Sequence, residues 1–544
     1  MLQRKNVLRG AAAVCAVTAG LVGSAGLASA SGPTTQLTIE GNTNTVLNLN
    51  PFNGVLGINL LYNSLELVNP SNGTPAPELA TAYQAVNSKT LVYTIRQGVK
   101  WSNKTPFTPA DVVFTFNLIK KFPALGGGGV WSQLSSVSAS GDKVIFHLKT
   151  PDVPLNLTIA EIPIVSQKVW RSVRNPVTFE NQHPVVTGPY TLGTYAPTEL
   201  VLKKNPLSFE AGHVVPKTVA FIAGSSNQAT NELLVASGTY DFSYNYFPDV
   251  KATYVSRDPA HNKYWFPAGG VVCLYMNLTT APFSNRNFRQ GVSYAINRRS
   301  VENKAVFGLE GVAPQTGLML PAQRAWQDPN IPNNGLITQN TSKALAAFAK
   351  AGFTVKNGQM VNSSGKQVSF QIMVPTGWTD WDSAAQQIAT SLNALGMNVT
   401  LDEISSNVYF SSTQAGQFQA ALGSFGGSGN SYSAYYPALD SSFVAPINTA
   451  SVNNFERFSS AWADKALTTL AGAVTPAAQL HATWALENVM YNDVPFIDLY
   501  YGGMWGLFST RHWTGWPSAK NPYTTPATWN DDLLAILLHV KAAK

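Results

Sequence analysis

Hydrophobic positions along this chain follow two spacings, one of period two and one near 3.6. Gln36 to Glu40 and Leu91 to Ile95 are β-rich runs of strand length. Thr108-Pro109-Ala110-Asp111 predicts a helix start, with Thr108 as N-cap, Pro109 in the first helical position and Asp111 in the first turn. Val112, Val113, Phe116 and Leu118 supply the apolar side of that helix to about Lys121. Phe122-Pro123 and Gly126 to Gly129 end it. Asn285 or Asn287 caps a helix running to about Ile296, Ser300 caps another, and Thr341 or Ser342 starts a third that stops at Gly352. Ile388, Leu392 and Leu395 stripe a helix over 382–395, and 398–404 reads as a strand. Thr475-Pro476 opens a helix carrying Leu480, Trp484 and Val489, followed by a strand over 495–501. Strands and helices mixed in this way predict α/β architecture, with helices covering sheets. No repeat of about 20–50 residues is visible, which argues against solenoids and propellers.

The first thirty residues change the picture. Arg4, Lys5 and Arg9 precede an apolar stretch from about Gly10 to Leu27, and Ala28-Ser29-Ala30 follows. This is the pattern of a secretory signal peptide spanning 1–30 and cut after Ala30; the competing reading is a retained anchor. Val14 before Cys15 argues against a lipidated cysteine. The mature chain then keeps Cys273 alone and forms no internal disulfide. Its charge is 33 − 29 = +4, after three of 36 basic residues leave with the peptide. No basic run exceeds a pair, so nucleic acid is not an expected partner.

Composition excludes more than it assigns. Of 544 residues, 45% are hydrophobic and 11% aromatic, which is ample for a core, while only 12% are charged against a usual share of roughly 25%. So few carboxylates predict tolerance of an acidic medium. Seven scattered histidines, with no His-Glu-x-x-His and no Cys-x-x-Cys, support no metal or cofactor. Gly426-Gly427-Ser428-Gly429 lacks the spacing of a nucleophile elbow. Asp380, Asp382, Asp402 and Glu403, near Trp378 and Trp381, leave a glycosidase-like carboxylate pair open. Thirteen tryptophans and twenty tyrosines are many for so uncharged a chain. Trp378, Trp381, Tyr435, Tyr436, Tyr500, Tyr501 and Trp505 fall in loop-like or strand-end stretches, and about half of them are expected in a ligand cleft.

Several separated segments resemble a known family. Pro77-Glu78-Leu79-Ala80 leads into RQGVKWSNKTPFTPADVVFTF at 96–116; TGPY at 187–190, ASGTYDF at 236–242, NLTTAPFSNRNFRQGVSYAINR at 277–298 and NDVPFIDLYY at 492–501 follow in order, with 311–321 between the last two. Together they resemble the family 5 extracellular solute-binding proteins of ABC importers, the oligopeptide/dipeptide-binding class. The resemblance implies a two-lobed periplasmic-binding-protein fold (class II) with three structural domains around a hinge. The expected boundaries are 31–70, 185–272 and 495–544 for the core domain of lobe I, 71–184 for its accessory domain, and 273–494 for lobe II.

It also implies a monomeric, exported, non-enzymatic receptor, periplasmic or extracellular. Such a receptor closes around an oligopeptide-like solute and hands it to the permease at the membrane. Three departures stand out. Asn103-Lys104 replaces the family's usual Asp-Gly, and Asn297 its usual Asp before Arg298. GSFGGSGNSYSAYY at 423–436 has no carboxylate where peptide-binding members carry an aspartate for the ligand ammonium. Ser428 and Ser431 stand nearest that position, and Asp380, Asp382 or Asp440 are the substitutes available. TGWPSAKNPYTTPATW at 514–529 resembles a tail of members that bind peptides or cello-oligosaccharides, so an oligosaccharide is the alternative ligand and a secreted glycoside hydrolase a more distant one. The expected ligand-binding residues are Asn277 as a hydrogen-bonding group and Trp378, Trp381, Phe425, Tyr435 and Tyr501 as stacking or wall groups. Trp101 and Trp516 are expected to be structural.

Overall fold

The computed structural model describes residues 35–41, 46–53, 56–225, 228–247, 249–426 and 429–544. The expected signal peptide, 1–30, lies outside the described residues.

Two separate sheets organise the chain into two lobes. In lobe I, Gln36–Gly41 lies at the centre of a seven-stranded sheet because Leu37 and Ile39 point into the core while alternate residues do not. It pairs in parallel with Thr218–Ala223 on one side and Phe242–Tyr244 on the other. The sheet continues through Glu199–Lys204 to Tyr190–Ala196, and in the other direction through Gly506–Ser509 to Asn262–Trp265. A four-stranded antiparallel sheet, in spatial order Ala80–Asn87, Thr90–Ile95, Lys143–Leu148 and Leu134–Ser140, is joined to this lobe through a shared core. The helix Pro109–Lys121 covers it, with Phe116 against Phe146 at 4.7 Å between ring centroids. Its start is the capping box expected: the Asp111 carboxylate accepts from the Thr108 amide at 2.9 Å, and the Thr108 side chain accepts from the Asp111 amide.

Lobe II is built on a five-stranded sheet. Asn398–Ile404, Ser369–Pro375 and Ala420–Phe425 are followed by Ala268–Met276 and then Ile497–Gly503. The helices Arg286–Ala295, Arg298–Val306, Thr341–Lys350, Thr379–Asn393 and Pro476–Asp493 surround it. Two caps differ from expectation. Asn297, not Ser300, caps the second of these helices by accepting from the Ser300 amide at 3.0 Å, and Asn340 rather than Thr341 or Ser342 caps the third through Lys343. In both cases an Asn just upstream offers a side-chain carbonyl better placed than the hydroxyl.

The expected domain cuts at 272/273 and 494/495 do not follow the sheets. Ala268–Met276 is one continuous strand, and Ile497–Gly503 pairs antiparallel with it, Val271 opposite Tyr501. Both belong to lobe II, and the chain crosses back to lobe I only at Gly506. The two crossings, Phe266-Pro267 and Met504-Trp505, run side by side and are tied by a hydrogen bond from the Met504 amide to the Pro267 carbonyl at 2.8 Å. Trp505 packs edge-on against Phe266 and Tyr246 at 5.0 and 4.9 Å. A connection this narrow, between two independently cored lobes, has the form of a hinge.

Candidate functional site: the cleft between the lobes

Beside the hinge the lobes enclose a cavity of ≈ 470 Å³. Lobe I contributes Asn59, Ser64, Glu161, Asp531 and Asp532, while lobe II contributes Ala268, Gly269 and Met319. A second cavity of ≈ 440 Å³ extends it toward the accessory sheet, between Asp152, Leu157 and Glu161 on one wall and Tyr432, Ser433 and Tyr436 on the other. Glu161 lines both cavities, and the two neighbouring cavities of the interlobe cleft are together called the trough. The lobes also touch along it. The Gly429 amide donates to the Pro70 carbonyl at 3.0 Å and the Val153 amide to that of Ala471 at 2.8 Å.

The trough is acidic. Asp531 and Asp532 occupy the first turn of the helix Asn530–His539, where carboxylates complement the helix dipole. Asp531 accepts from Asn59 Nδ2 at 2.7 Å and the Val68 amide at 2.9 Å; Asp532 accepts from the Thr525 amide at 2.9 Å and from the Thr524 hydroxyl. Burial nevertheless pushes Asp531 up to about 6 and Asp532 to about 7. Glu161, open to the trough but walled by protein, is raised to about 7 by loss of water and then by the charges of Asp531 and Asp532. Behind Ser64, Glu78 accepts from the Ser64 amide and hydroxyl at 2.9 and 2.8 Å and from Asn63, which also bonds Glu210 at 2.9 Å. Burial, then Glu210 and Asp531, hold Glu78 well above the usual carboxylate range. Among the described residues neither cavity is lined by a Lys, Arg or His.

The residues expected to bind ligand are mostly elsewhere. Asn277 is 4% exposed, and its amide is fully engaged: it donates to the Gly416 and Phe418 carbonyls at 2.9 and 3.1 Å and accepts from the Thr279 amide and hydroxyl at 3.1 and 2.7 Å. It closes a turn after the strand Ala268–Met276 and has nothing left for a solute. Tyr435, 1% exposed, donates its hydroxyl to the Thr316 carbonyl at 2.6 Å inside lobe II. Phe425 packs against Phe496 at 4.8 Å, and Tyr501 is buried with its hydroxyl bonded to the 318–320 backbone. Trp381 is buried under Trp378, 4.9 Å away. Trp378, 38% exposed, keeps a free face but lines neither cavity, and Phe425 lines a separate, smaller one of ≈ 120 Å³ within lobe II. Ser431 is buried against Thr483 at 2.6 Å, Ser428 lies outside the described residues, and Asp440 caps a short turn through Ser442. Trp101 and Trp516 are buried as expected.

The stretch 431–439 is a helix rather than a loop, and this explains the misplaced tyrosine. Tyr432 and Tyr436, one turn apart, stack at 5.0 Å and face the second cavity, whereas Tyr435 turns inward. The i, i+4 spacing was the signal that could have found them. Glu161 and the Asp531-Asp532 pair carried no comparable motif.

A profile of the bacterial extracellular solute-binding proteins, family 5, matches residues 74–445, well over half of the chain. The chain belongs to that family. Among curated relatives it is similar to a peptidoglycan-binding protein of Agrobacterium fabrum, 26% identical over 428 residues that cover 68% of this chain and 66% of the relative. It thus spans slightly less than two thirds of that relative's length. Among solved structures it resembles the periplasmic oligopeptide-binding protein of an oligopeptide ABC transporter from Thermotoga maritima, with a TM-score of 0.82 at 25% identity, over 93% of this chain and 99% of that one. A mannohexaose-bound structure from the same organism matches with a TM-score of 0.73 at 25% identity, over 94% and 99% of the two chains. The two-lobed fold of this class is therefore that of the present chain.

Proposed function

We propose that this protein is the extracytoplasmic substrate-binding component of an ABC importer, which captures an oligopeptide-like solute by lobe closure and delivers it to the permease subunits. The observation that carries this reading is the trough itself. Its walls come from two separately cored lobes joined by a two-strand crossing, so a solute touching both walls favours the closed arrangement by contacts available only there. Two cavities in series suit an extended solute, and the polar walls leave room for bridging water around variable side chains.

An oligosaccharide is the second reading. It is favoured by the carboxylate-free stretch 423–436, by the stacked Tyr432–Tyr436 pair on the trough wall, and by the mannohexaose bound to the Thermotoga relative. Export places the protein outside the cytoplasm; among the described residues no helix is long and apolar enough to cross a membrane. A thermal-shift screen of di- to pentapeptides against cello-, xylo-, malto- and manno-oligosaccharides tests both readings, since binding to the native state raises the Tm by mass action. A shift with peptides alone supports the first reading, and a shift with sugars alone replaces it with the second. Sustained consumption of any of them would identify an enzyme instead.

A further inference from the structure

We infer that lobe II carries a second binding site, distinct from the trough, for a small organic cation of the quaternary ammonium class. The site is the cavity of ≈ 120 Å³ walled by Tyr275, Phe425, Phe455 and Phe496, with the carboxylate of Glu456 among them. Such a site lies outside the receptor reading, because every wall belongs to lobe II and occupancy needs no lobe closure. The helix Ser431–Leu439 divides it from the trough. Tyr432 and Tyr436 line the trough, whereas Ala434 and Ala438, two positions on and so on the opposite face, line this cavity.

The four rings form a continuous arc. Phe425 lies 4.8 Å from Phe496 between centroids, and Tyr275 lies 6.0 Å from Phe496 and 6.1 Å from Phe455. Glycines seat two of them: a Cβ on Gly423 would fall 2.0 Å from the Tyr275 ring, and one on Gly317 2.2 Å from that of Phe425. Glu456, 2% exposed, lines the cavity beside this arc, and among the described residues its own amide is the one donor next to its carboxylate. No described Lys, Arg or His lines the cavity, and Arg457 directs its guanidinium to the carbonyls of Ala445, Phe455, Gln414 and Thr449. A buried acid without a counter-charge is costly; a cation beside it offsets that cost and is drawn to the negative faces of the rings.

The walls also choose among cations. A free ammonium brings three N–H donors in need of acceptors. The Tyr275 hydroxyl, however, already donates to the Ser424 carbonyl, and the Asn454 side chain is bonded to Asp440 and Phe458. Methyl groups on nitrogen need no acceptor and pack against rings. Burial pushes Glu456 up to about 8, with its own amide and then Arg457 pulling it part way back. Its titratable neighbours Cys273, Tyr275 and Tyr409 are raised by burial and stay uncharged where Glu456 titrates. A quaternary ammonium prefers the ionised carboxylate, so its affinity should rise as the pH passes through 8.

The test is a ligand-observed NMR titration of the whole protein at about pH 9 and constant ionic strength. The probes are choline chloride and its neutral carbon analogue, in which a tert-butyl group replaces the trimethylammonium. Choline should bind about tenfold tighter than the analogue, and about tenfold tighter at pH 9 than at pH 6.5. Glu456→Gln keeps the volume and should erase both the preference and the pH dependence. Phe455→Leu keeps the acid and should weaken choline severalfold. A thermal melt of each variant establishes that it is folded; if Glu456→Gln is not, choline affinity unmoved by both Phe455→Leu and pH overturns the inference. Absence of choline binding, equal affinity for the two probes, or a preference that survives in folded Glu456→Gln would overturn it as well. A preference lost in Glu161→Gln but kept in Glu456→Gln would place the cation in the trough, with the same consequence.

Discussion

Replacing Glu66 by Gln is a direct test of how this protein pairs its few carboxylates with its solvent. Glu66 lies in the short strand Glu66–Val68, 5% exposed, and its Oε2 has no hydrogen-bond partner. Burial alone pushes its carboxyl from 4.5 to about 7. A folded-state value above the unfolded one means that the native protein holds this proton more tightly. The stability it contributes is therefore fully present below about pH 4.5 and is lost as the pH rises toward 7. At about 1.4 kcal/mol per pH unit, the difference is about 3 kcal/mol for a carboxylate cut off from water, and about 2 kcal/mol where one edge still reaches it. Gln keeps the shape and cannot ionise. Glu66→Gln should then match the parent at pH 4 and exceed it in stability by about 2–3 kcal/mol at pH 8. Thermal melts of the two proteins at matched pH values, followed by calorimetry, measure the gap. A gap that stays flat across this range, or that closes rather than opens as the pH rises, would refute the reasoning.

The same sign holds elsewhere. Burial raises Glu210 to about 7 and Glu487 and Asp498 to about 8, so the parent protein should itself melt at higher temperature near pH 5 than near pH 8; a Tm that collapses between pH 6 and pH 3 would count against this. Asn277→Ala strips four hydrogen bonds from a buried turn and should cost about 2–4 kcal/mol in stability, with solute affinity of the folded fraction unchanged. Tyr432→Ala should weaken solute binding with little loss of Tm, whereas Tyr435→Phe should cost about 1 kcal/mol in stability and leave affinity intact. Trp378→Ala should leave the Tm within a few degrees, while Trp381→Ala opens a cavity worth about 3–5 kcal/mol.

What could be read from the sequence was local. The Thr108–Asp111 capping box and the Pro476 helix start depend on neighbours three or four residues away, and both appear in the fold. The strand near 497–503 was likewise legible, but its lobe was not, because pairing with Val271 and Val272 across more than 200 residues decides it. The site suffered from the same limit. Asn277 looked available because it follows a strand, yet its amide is consumed by the 416–418 backbone, a partner no local pattern reveals. Tyr435 and Tyr436 looked equivalent in a Ser/Gly-rich stretch, and only the helical turn separates the buried ring from the trough-facing one. Glu161 and the Asp531-Asp532 pair lie 370 residues apart in the chain and meet only when the lobe folds.

Small-angle scattering of the protein alone, and saturated with whichever solute most raises its Tm, measures the jaw directly. The radius of gyration should fall on saturation while the solute is recovered unchanged, because the trough closes around it and releases it intact. Identical profiles with and without that solute, or a solute consumed during the measurement, would contradict the account.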